Sequence, residues 1–265
     1  DWQKIACALA VRSAFSVITG GPGTGKTTTV VRLLAVLQSL ALQEKGSALR
    51  IRLAAPTGKA AARLNASITG QIEQLRQHGG QPAAVCDAIV AEKVCTLHRL
   101  LGSLPDSRHF RHHAGNPLSV DVVVVDEASM IDVEMMARLL AAIPPHARLV
   151  LLGDKDQLAS VEAGAVLGQL CQHAAGARYS AATTSWLAAV TGEQVAAPYV
   201  SDNGHAIDQS IAMLRYSHRF GEHSGIGRLA RAVNAGDVAA ARSCLTASSG
   251  DIVHLRLHVT SDHRL

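Results

Sequence analysis

Apolar residues fall along this chain in two alternating rhythms. Short runs rich in Val, Leu and Ile lie at residues 15–19, 51–55, 120–125 and 149–152, and longer amphipathic stretches lie at 26–43, 58–77, 133–143 and 163–173. Short apolar runs of this kind read as strands and the longer periodic stretches as helices. The run at 120–125 is valine almost without a break, as expected of a strand buried on both faces. Pro144 and Pro145 close the helix before the next strand. Strands that alternate with helices predict a parallel sheet with helices on both faces. Two stretches break the rhythm: the polar, Gly-containing 78–82, within an insertion of about 66–95, and the turn-rich 174–205. Both are expected to be surface excursions. Residues 226–245 predict a pair of short Ala-rich helices, and 252–257 an apolar strand.

Composition narrows the class. Hydrophobic residues make up 48% of the 265, and no uncharged apolar run is long enough to span a bilayer, so no membrane partner is expected. Five cysteines, odd in number and never spaced C-x-x-C, predict reduced, buried thiols in a cytoplasmic protein. His109, His112 and His113 lie in a polar stretch without partner ligands at metal spacing, which reads as a solvated loop. The net charge of +4 permits contact with phosphates without arguing for it. With no initiator Met and no signal pattern at Asp1, the chain is expected to be a fragment or an excised domain.

The most specific signal is Gly20-Gly21-Pro22-Gly23-Thr24-Gly25-Lys26-Thr27, which matches G-x-x-x-x-G-K-[ST] between a strand and a helix. Glycines let the backbone turn its N–H groups inward as an anion nest at a helix N-terminus. Lys26 would then meet the β and γ phosphates, and the Thr27 hydroxyl would complete a Mg²⁺ shell. The valine strand ends in Asp126-Glu127, at the edge where α/β sheets bind ligands. Asp126 is expected to hold Mg²⁺, and Glu127 to orient or deprotonate the attacking water. The next strand ends in Gly153-Asp154-Lys155-Asp156-Gln157, where Gln157 can sense a γ-phosphate or the water. The expected fold is an α/β, three-layer P-loop NTPase (RecA-like) with a mainly parallel central sheet.

Together with Trp2-Gln3-Lys4, Thr28 and Thr29 after the loop, the stretch 52–64, Thr96 to Gly102, His112 to Leu118, and Arg219-Phe220, these motifs resemble the first motor lobe of superfamily 1 helicases. Within them the resemblance is to the RecD family, the alpha subunits of exodeoxyribonuclease V (the RecBCD enzyme). It covers residues 2–234 and implies ATP and Mg²⁺ as cofactors, 5′→3′ movement on single-stranded DNA, and RecB- and RecC-like partner subunits. It implies that Gln3 reads the adenine edge and that Arg219 reaches the γ-phosphate in the transition state, with Arg215 as second choice for that role. Gly21, Pro22, Gly23, Thr24, Gly25, Lys26, Thr27 and Thr28 would surround the nucleotide, and Thr57, Lys59, Thr96 and His98 would face the DNA. The resemblance makes residues 1–220 the ATP-binding lobe and 221–265 a helical segment and strand leading toward a second lobe that is not recognisable in the sequence.

The sequence departs from the family in having His218 where a Tyr is expected, and aromatics at only 3% show no base-stacking platform. A stand-alone superfamily 1 helicase would share nearly every motif. A nucleotide-dependent interaction module would need none of Glu127, Gln157 and Arg219. A GTPase-like switch would need an N-K-x-D-like guanine reader, which is lacking.

Overall fold

The computed structural model describes residues 1–78, 82–90, 94–157, 166–218, 224–247 and 251–253. These divide into two compact units, Asp1–Tyr216 and Ser217–Leu265. In the first, six strands form one sheet among the described residues: β1 (Phe15–Gly20), β2 (Ile51–Ala55), β3 (Cys95–Thr96), β4 (Val122–Val125), β5 (Arg148–Gly153) and β6 (Ile211–Leu214). Their order is β3-β2-β4-β5-β1-β6, with every neighbouring pair parallel.

The valine and leucine runs are continuous because alternate residues enter two different cores. Val122, Val124, Val150, Leu152 and Ile18 face one, and Val123, Val125, Leu149, Leu151 and Val17 the other. The first core is closed by α1 (Trp2–Arg12), α2 (Lys26–Lys45), α3 (Gly58–His78) and α4 (Ala83–Val90), and the second by α5 (Leu97–Leu101), α6 (Val133–Ala142) and α7 (Val166–Leu170). Each fully buried Val or Leu contributes roughly 1.5–3 kcal/mol against leaving it in water. The layers therefore follow directly from the side-chain period of two. No helix of the described residues is long and apolar enough to cross a membrane. All five cysteines are free, with Cys86 and Cys171 buried and Cys7, Cys95 and Cys244 only half-buried, a correction to the expectation that all would be buried.

Several elements depart from the sequence expectation, among them α4, β3 and α5, which no expected strand or helix covers. α1 likewise lies outside the expected helices, yet it is capped by the Asp1 carboxylate, which accepts from the Gln3 and Lys4 amides at 2.9 and 3.3 Å, and it buries Ile5 and Leu9. β6 adds an edge to the sheet beside β1, with Val17 opposite Ile211 and Gly20 opposite Leu214. The stretch 174–205 is not merely a surface excursion. It holds α8 (Ala181–Thr191), capped by Ser180, with Leu187 fully buried. It also holds Tyr179, wholly buried, whose hydroxyl donates to the Ile211 carbonyl at 2.7 Å. Burial of that ring with its one polar atom satisfied is what anchors the stretch to the core. The helix expected over 163–173 is described only as α7, since 158–165 lie outside the described residues.

In the second unit, α9 (Gly225–Asn234) and α10 (Val238–Thr246) are the expected pair of helices, capped by Ser224 and Asp237 and joined through Gly236 at φ 69°. Residues 254–257 of the expected final strand lie outside the described residues, as do Arg219 and Phe220.

Candidate nucleotide-binding site

Parallel strands end at one common edge, so the loops after β1, β4 and β5 open side by side. The loop after β1 is shaped by its glycines. Gly23 and Gly25 sit at φ 76° and 84°, in the left-handed region open to glycine at little cost. At Gly20 a Cβ would meet the Thr24 hydroxyl at 2.8 Å and the Leu214 carbonyl at 2.9 Å. The Thr24 hydroxyl donates to the Gly21 carbonyl at 2.9 Å, folding the loop back on itself. Gly25 begins α2 without a side-chain cap, which leaves the first-turn N–H groups aimed into the loop. Thr27 and Thr28 stand half-buried in that turn, and Pro22 lies exposed at the loop's tip.

The Lys26 ammonium donates to the Gly20 and Gly21 carbonyls at 2.5 and 3.1 Å. Burial lowers its pKa, and the charges of Asp154, Asp126 and Glu127 oppose that shift. Three carboxylates from two other strand ends thus lie within the electrostatic reach of one lysine. The sequence motifs at 20–27, 126–127 and 153–157 are brought together.

Asp126 continues the β4 ladder, its amide donating to the Ala54 carbonyl at 2.9 Å. Its carboxylate accepts from the Glu127 amide at 2.9 Å. Burial pushes the Asp126 carboxyl above the usual carboxylate range, and the charge of Glu127 pushes the same way. The Glu127 amide, Lys26 and Arg63 work in the opposite direction. Glu127 takes φ 52°, left-handed backbone that a side chain seldom adopts, at the entry to a 3-10 turn (Ala128–Met130). Strain of this sort persists where surrounding structure imposes it, and it is concentrated at functional sites.

The loop after β5 is tied to both neighbours. The Lys155 amide donates to the Thr19 hydroxyl at 3.1 Å, and the Ser129 hydroxyl donates to the Gln157 side-chain carbonyl at 2.9 Å. At Gly153 a Cβ would meet Leu167 at 2.5 Å and the Ser129 amide at 3.2 Å, so the approach of the two loops requires glycine. Gln157 is therefore linked to the turn that carries Glu127. Gln3 reaches the site from α1. Its side-chain amide donates to the Thr24 carbonyl at 3.4 Å and accepts from Arg32 at 3.2 Å.

Thr57, Lys59, Thr96 and His98 lie along the ends of β2 and β3, where Ala55 pairs with Thr96. The Thr57 hydroxyl accepts from the Ala60 amide at 3.2 Å, and the Thr96 hydroxyl caps α5 by accepting from the Arg99 amide at 3.2 Å. Lys59 and His98 are exposed, with the His98 ring tilted 59° to that of Phe110 at 5.8 Å. Arg219 lies outside the described residues. Arg215, the second choice for the same role, is instead engaged with the rings of Trp2 and Tyr199 and with the carbonyls of Ala174 and Ala175. Sequence reasoning missed Thr19, Arg32, Arg63 and Ser129. Their partners lie at distances along the chain for which no local spacing provides a signal.

Residues 3–163 match the model of a protein family described as the AAA domain. The chain is 48% identical to the RecBCD enzyme subunit RecD of Haemophilus influenzae over 236 residues, which are 89% of this chain and 36% of that one. It is 44% identical to the RecBCD enzyme subunit RecD of Mycolicibacterium smegmatis over 94% of this chain and 38% of that one. It is also 41% identical to the ATP-dependent RecD2 DNA helicase of Deinococcus radiodurans, over 60% of this chain and 18% of that one. The chain thus spans little more than a third of the RecD subunits it matches. With its phosphate loop, parallel sheet and clustered strand-end carboxylates, the chain belongs to the AAA domain family, P-loop proteins whose fold implies nucleotide binding.

Proposed function

We propose that this chain is the ATP-binding first motor lobe of a 5′→3′ DNA helicase of the RecD type, working on single-stranded DNA beside RecB- and RecC-like subunits in the cytoplasm. One observation carries the reading: the Lys26 ammonium, seated in the loop after β1, lies in the field of Asp126, Glu127 and Asp154 from two other strands. A lysine and a cradle of amides favour an anion, and the facing carboxylates favour a cation. A triphosphate with its metal meets both demands.

The residues fit Mg²⁺. The Asp126 carboxyl is held unfavourably by burial and by Glu127, so a divalent cation would relieve it, and Thr27 offers a neutral oxygen from the first turn of α2. When bound, the ion neutralises charge on the phosphate oxygens. Thr27 and Asp126 would hold it. Lys26 and the backbone N–H groups of Gly21 and residues 23–27 would grip the phosphates, Glu127 would orient or deprotonate the attacking water, and Gln157 would report the state of the γ-phosphate to the turn at Ser129 through their hydrogen bond. Gln3 would contact adenine. Arg219 would supply transition-state charge, and Lys59 and His98 would face the strand. Cleft closure and opening with each ATP would drive movement along the DNA.

The RecD2 DNA helicase similarity favours a second reading, a motor without large partners. It matches a shorter stretch than the RecD subunits do, 158 residues against 236. The deciding experiment is ATP turnover by the purified whole protein with and without single-stranded DNA, paired with an affinity pull-down from its host. DNA-stimulated hydrolysis and two large co-purifying subunits are the expected result. Stimulated hydrolysis without partners would favour the stand-alone motor. Nucleotide binding without hydrolysis in the presence of DNA would mark an interaction module.

A further inference from the structure

Arg215 stands just past the end of β6, and the contacts of its guanidinium are with Trp2, Tyr199, Ala174 and Ala175 rather than with the phosphate loop. Its guanidinium carbon lies 4.5 Å from the centre of the Trp2 ring and 4.2 Å from that of Tyr199, and the two rings meet edge to face at 5.0 Å. One of its terminal nitrogens donates to the Ala174 and Ala175 carbonyls at 3.2 and 2.8 Å. A single side chain thus fastens three segments: the first turn of α1, the turn after α7, and the 3-10 turn Ala197–Tyr199. The task suits a guanidinium, which is flat enough to stack and presents its donors in a fixed fork. An ammonium has neither the planar face nor the fixed fork.

Trp2 is followed directly by Gln3 on the same helical turn. The bond from Gln3 to the phosphate loop is long, at 3.4 Å, and its other partner, Arg32, is exposed. What sets the place of Gln3 is therefore the turn it rides on, and that turn is gripped at its outer end by the Arg215 stack. Movement of Trp2 would carry the Gln3 amide with it.

We propose that Arg215 is a positioning residue for base recognition, clamping Trp2 against Tyr199 so that Gln3 meets the adenine edge of a nucleotide whose phosphates occupy the loop at 20–27. The inference rests on the reading of Gln3 as the adenine contact. It divides ATP affinity into two separable parts: the phosphates held by the loop, and the base held by a turn that Arg215 keeps in register. The same side chain joins that turn to the end of β6.

Calorimetric titration of the chain with ATP, GTP and inorganic tripolyphosphate, all with Mg²⁺, separates the two parts. The wild type is expected to prefer ATP over GTP. Arg215→Gln should weaken ATP by roughly ten-fold, the scale of one well-placed hydrogen bond, bring it close to GTP, and leave tripolyphosphate unchanged. Tyr199→Leu should move in the same direction by less, and Arg215→Lys should not restore the preference. Circular dichroism checks folding, and if Arg215→Gln does not fold, the other two variants provide the same readout. An unchanged ATP-over-GTP preference in folded variants would overturn the proposal, as would a parallel loss of tripolyphosphate binding. A wild type that binds all three equally would remove the role of Gln3 and the proposal with it. One that binds none would remove the phosphate-loop reading, so the two failures are told apart before any variant is made.

Discussion

The nucleotide edge and the candidate DNA edge of this lobe lie on the same side of one sheet, yet their residues are explained in different ways. At the nucleotide edge the geometry has a cost that the fold alone does not require. Asp126 is a carboxyl pushed up by burial beside a second carboxylate, Glu127 is held in left-handed backbone, and Lys26 is partly stripped of water. A ligand accounts for all three. At the other edge, Thr57 and Thr96 already have work to do, accepting hydrogen bonds from the first turns of α3 and α5. Lys59 and His98 of that group are exposed and cap no helix, with the His98 ring against that of Phe110. A residue kept in an unfavourable state speaks for chemistry more clearly than one that completes a helix cap.

The largest expected effect tests whether the edges are separable. Lys26→Ala should lower ATP turnover by about 10²–10³, the loss seen when one preorganised charge-stabilising donor is removed, while single-stranded DNA binding stays within about two-fold. Steady-state hydrolysis and DNA anisotropy measure the two sides. Equal losses on both would erase the distinction.

The unfavourable state of Asp126 gives a prediction opposite in sign. Because its folded-state pKa is raised, the folded protein holds the proton more tightly than the unfolded chain. Stability from this group is therefore full below the ordinary carboxylate value and lost as pH rises through the raised one. Asp126→Asn removes the penalty, so without nucleotide its melting temperature at neutral pH should rise above that of the wild type. The gain should vanish in acid. Thermal melts across pH measure it, and an Asp126→Asn variant that melts lower at neutral pH would mean the carboxylate is well compensated without a metal.

The DNA edge can be sharpened with smaller effects. Thr96→Ala and Thr57→Ala should each cost about 1 kcal/mol of stability as lost caps. Lys59→Ala should leave the melt alone, weaken single-stranded DNA binding a few-fold, and reduce the salt slope by about 0.7, the share of one phosphate contact. A Lys59→Ala variant with an unchanged salt slope would remove that residue from the interface.

How much of this was legible beforehand followed from how each element is stabilised. Strands buried on both faces announce themselves as valine and leucine runs, and the phosphate loop by glycines that the backbone needs at Gly23 and Gly25. α1 and α8 did not, because alanine fills much of both, and an alanine-rich surface carries little apolar stripe even where Leu9 and Leu187 are fully buried. β6 is four residues long and takes its identity from pairing with β1, a contact no local pattern encodes. The same holds at the site. Asp126 and Glu127 were readable from the strand that ends in them, whereas Ser129 and Thr19 matter only because the folded chain brings Gln157 and Lys155 to them.

The most direct test of the shared site is Glu127→Gln, which changes one oxygen to an amide and leaves the loop at 20–27 untouched. In the whole protein with Mg²⁺ and single-stranded DNA, the account predicts ATP affinity near that of the wild type and turnover lower by about 10²–10⁴, the contribution of a positioned general base. Wild-type turnover in the Glu127→Gln protein would show that the strand-end carboxylates and the phosphate loop do not act on the same nucleotide.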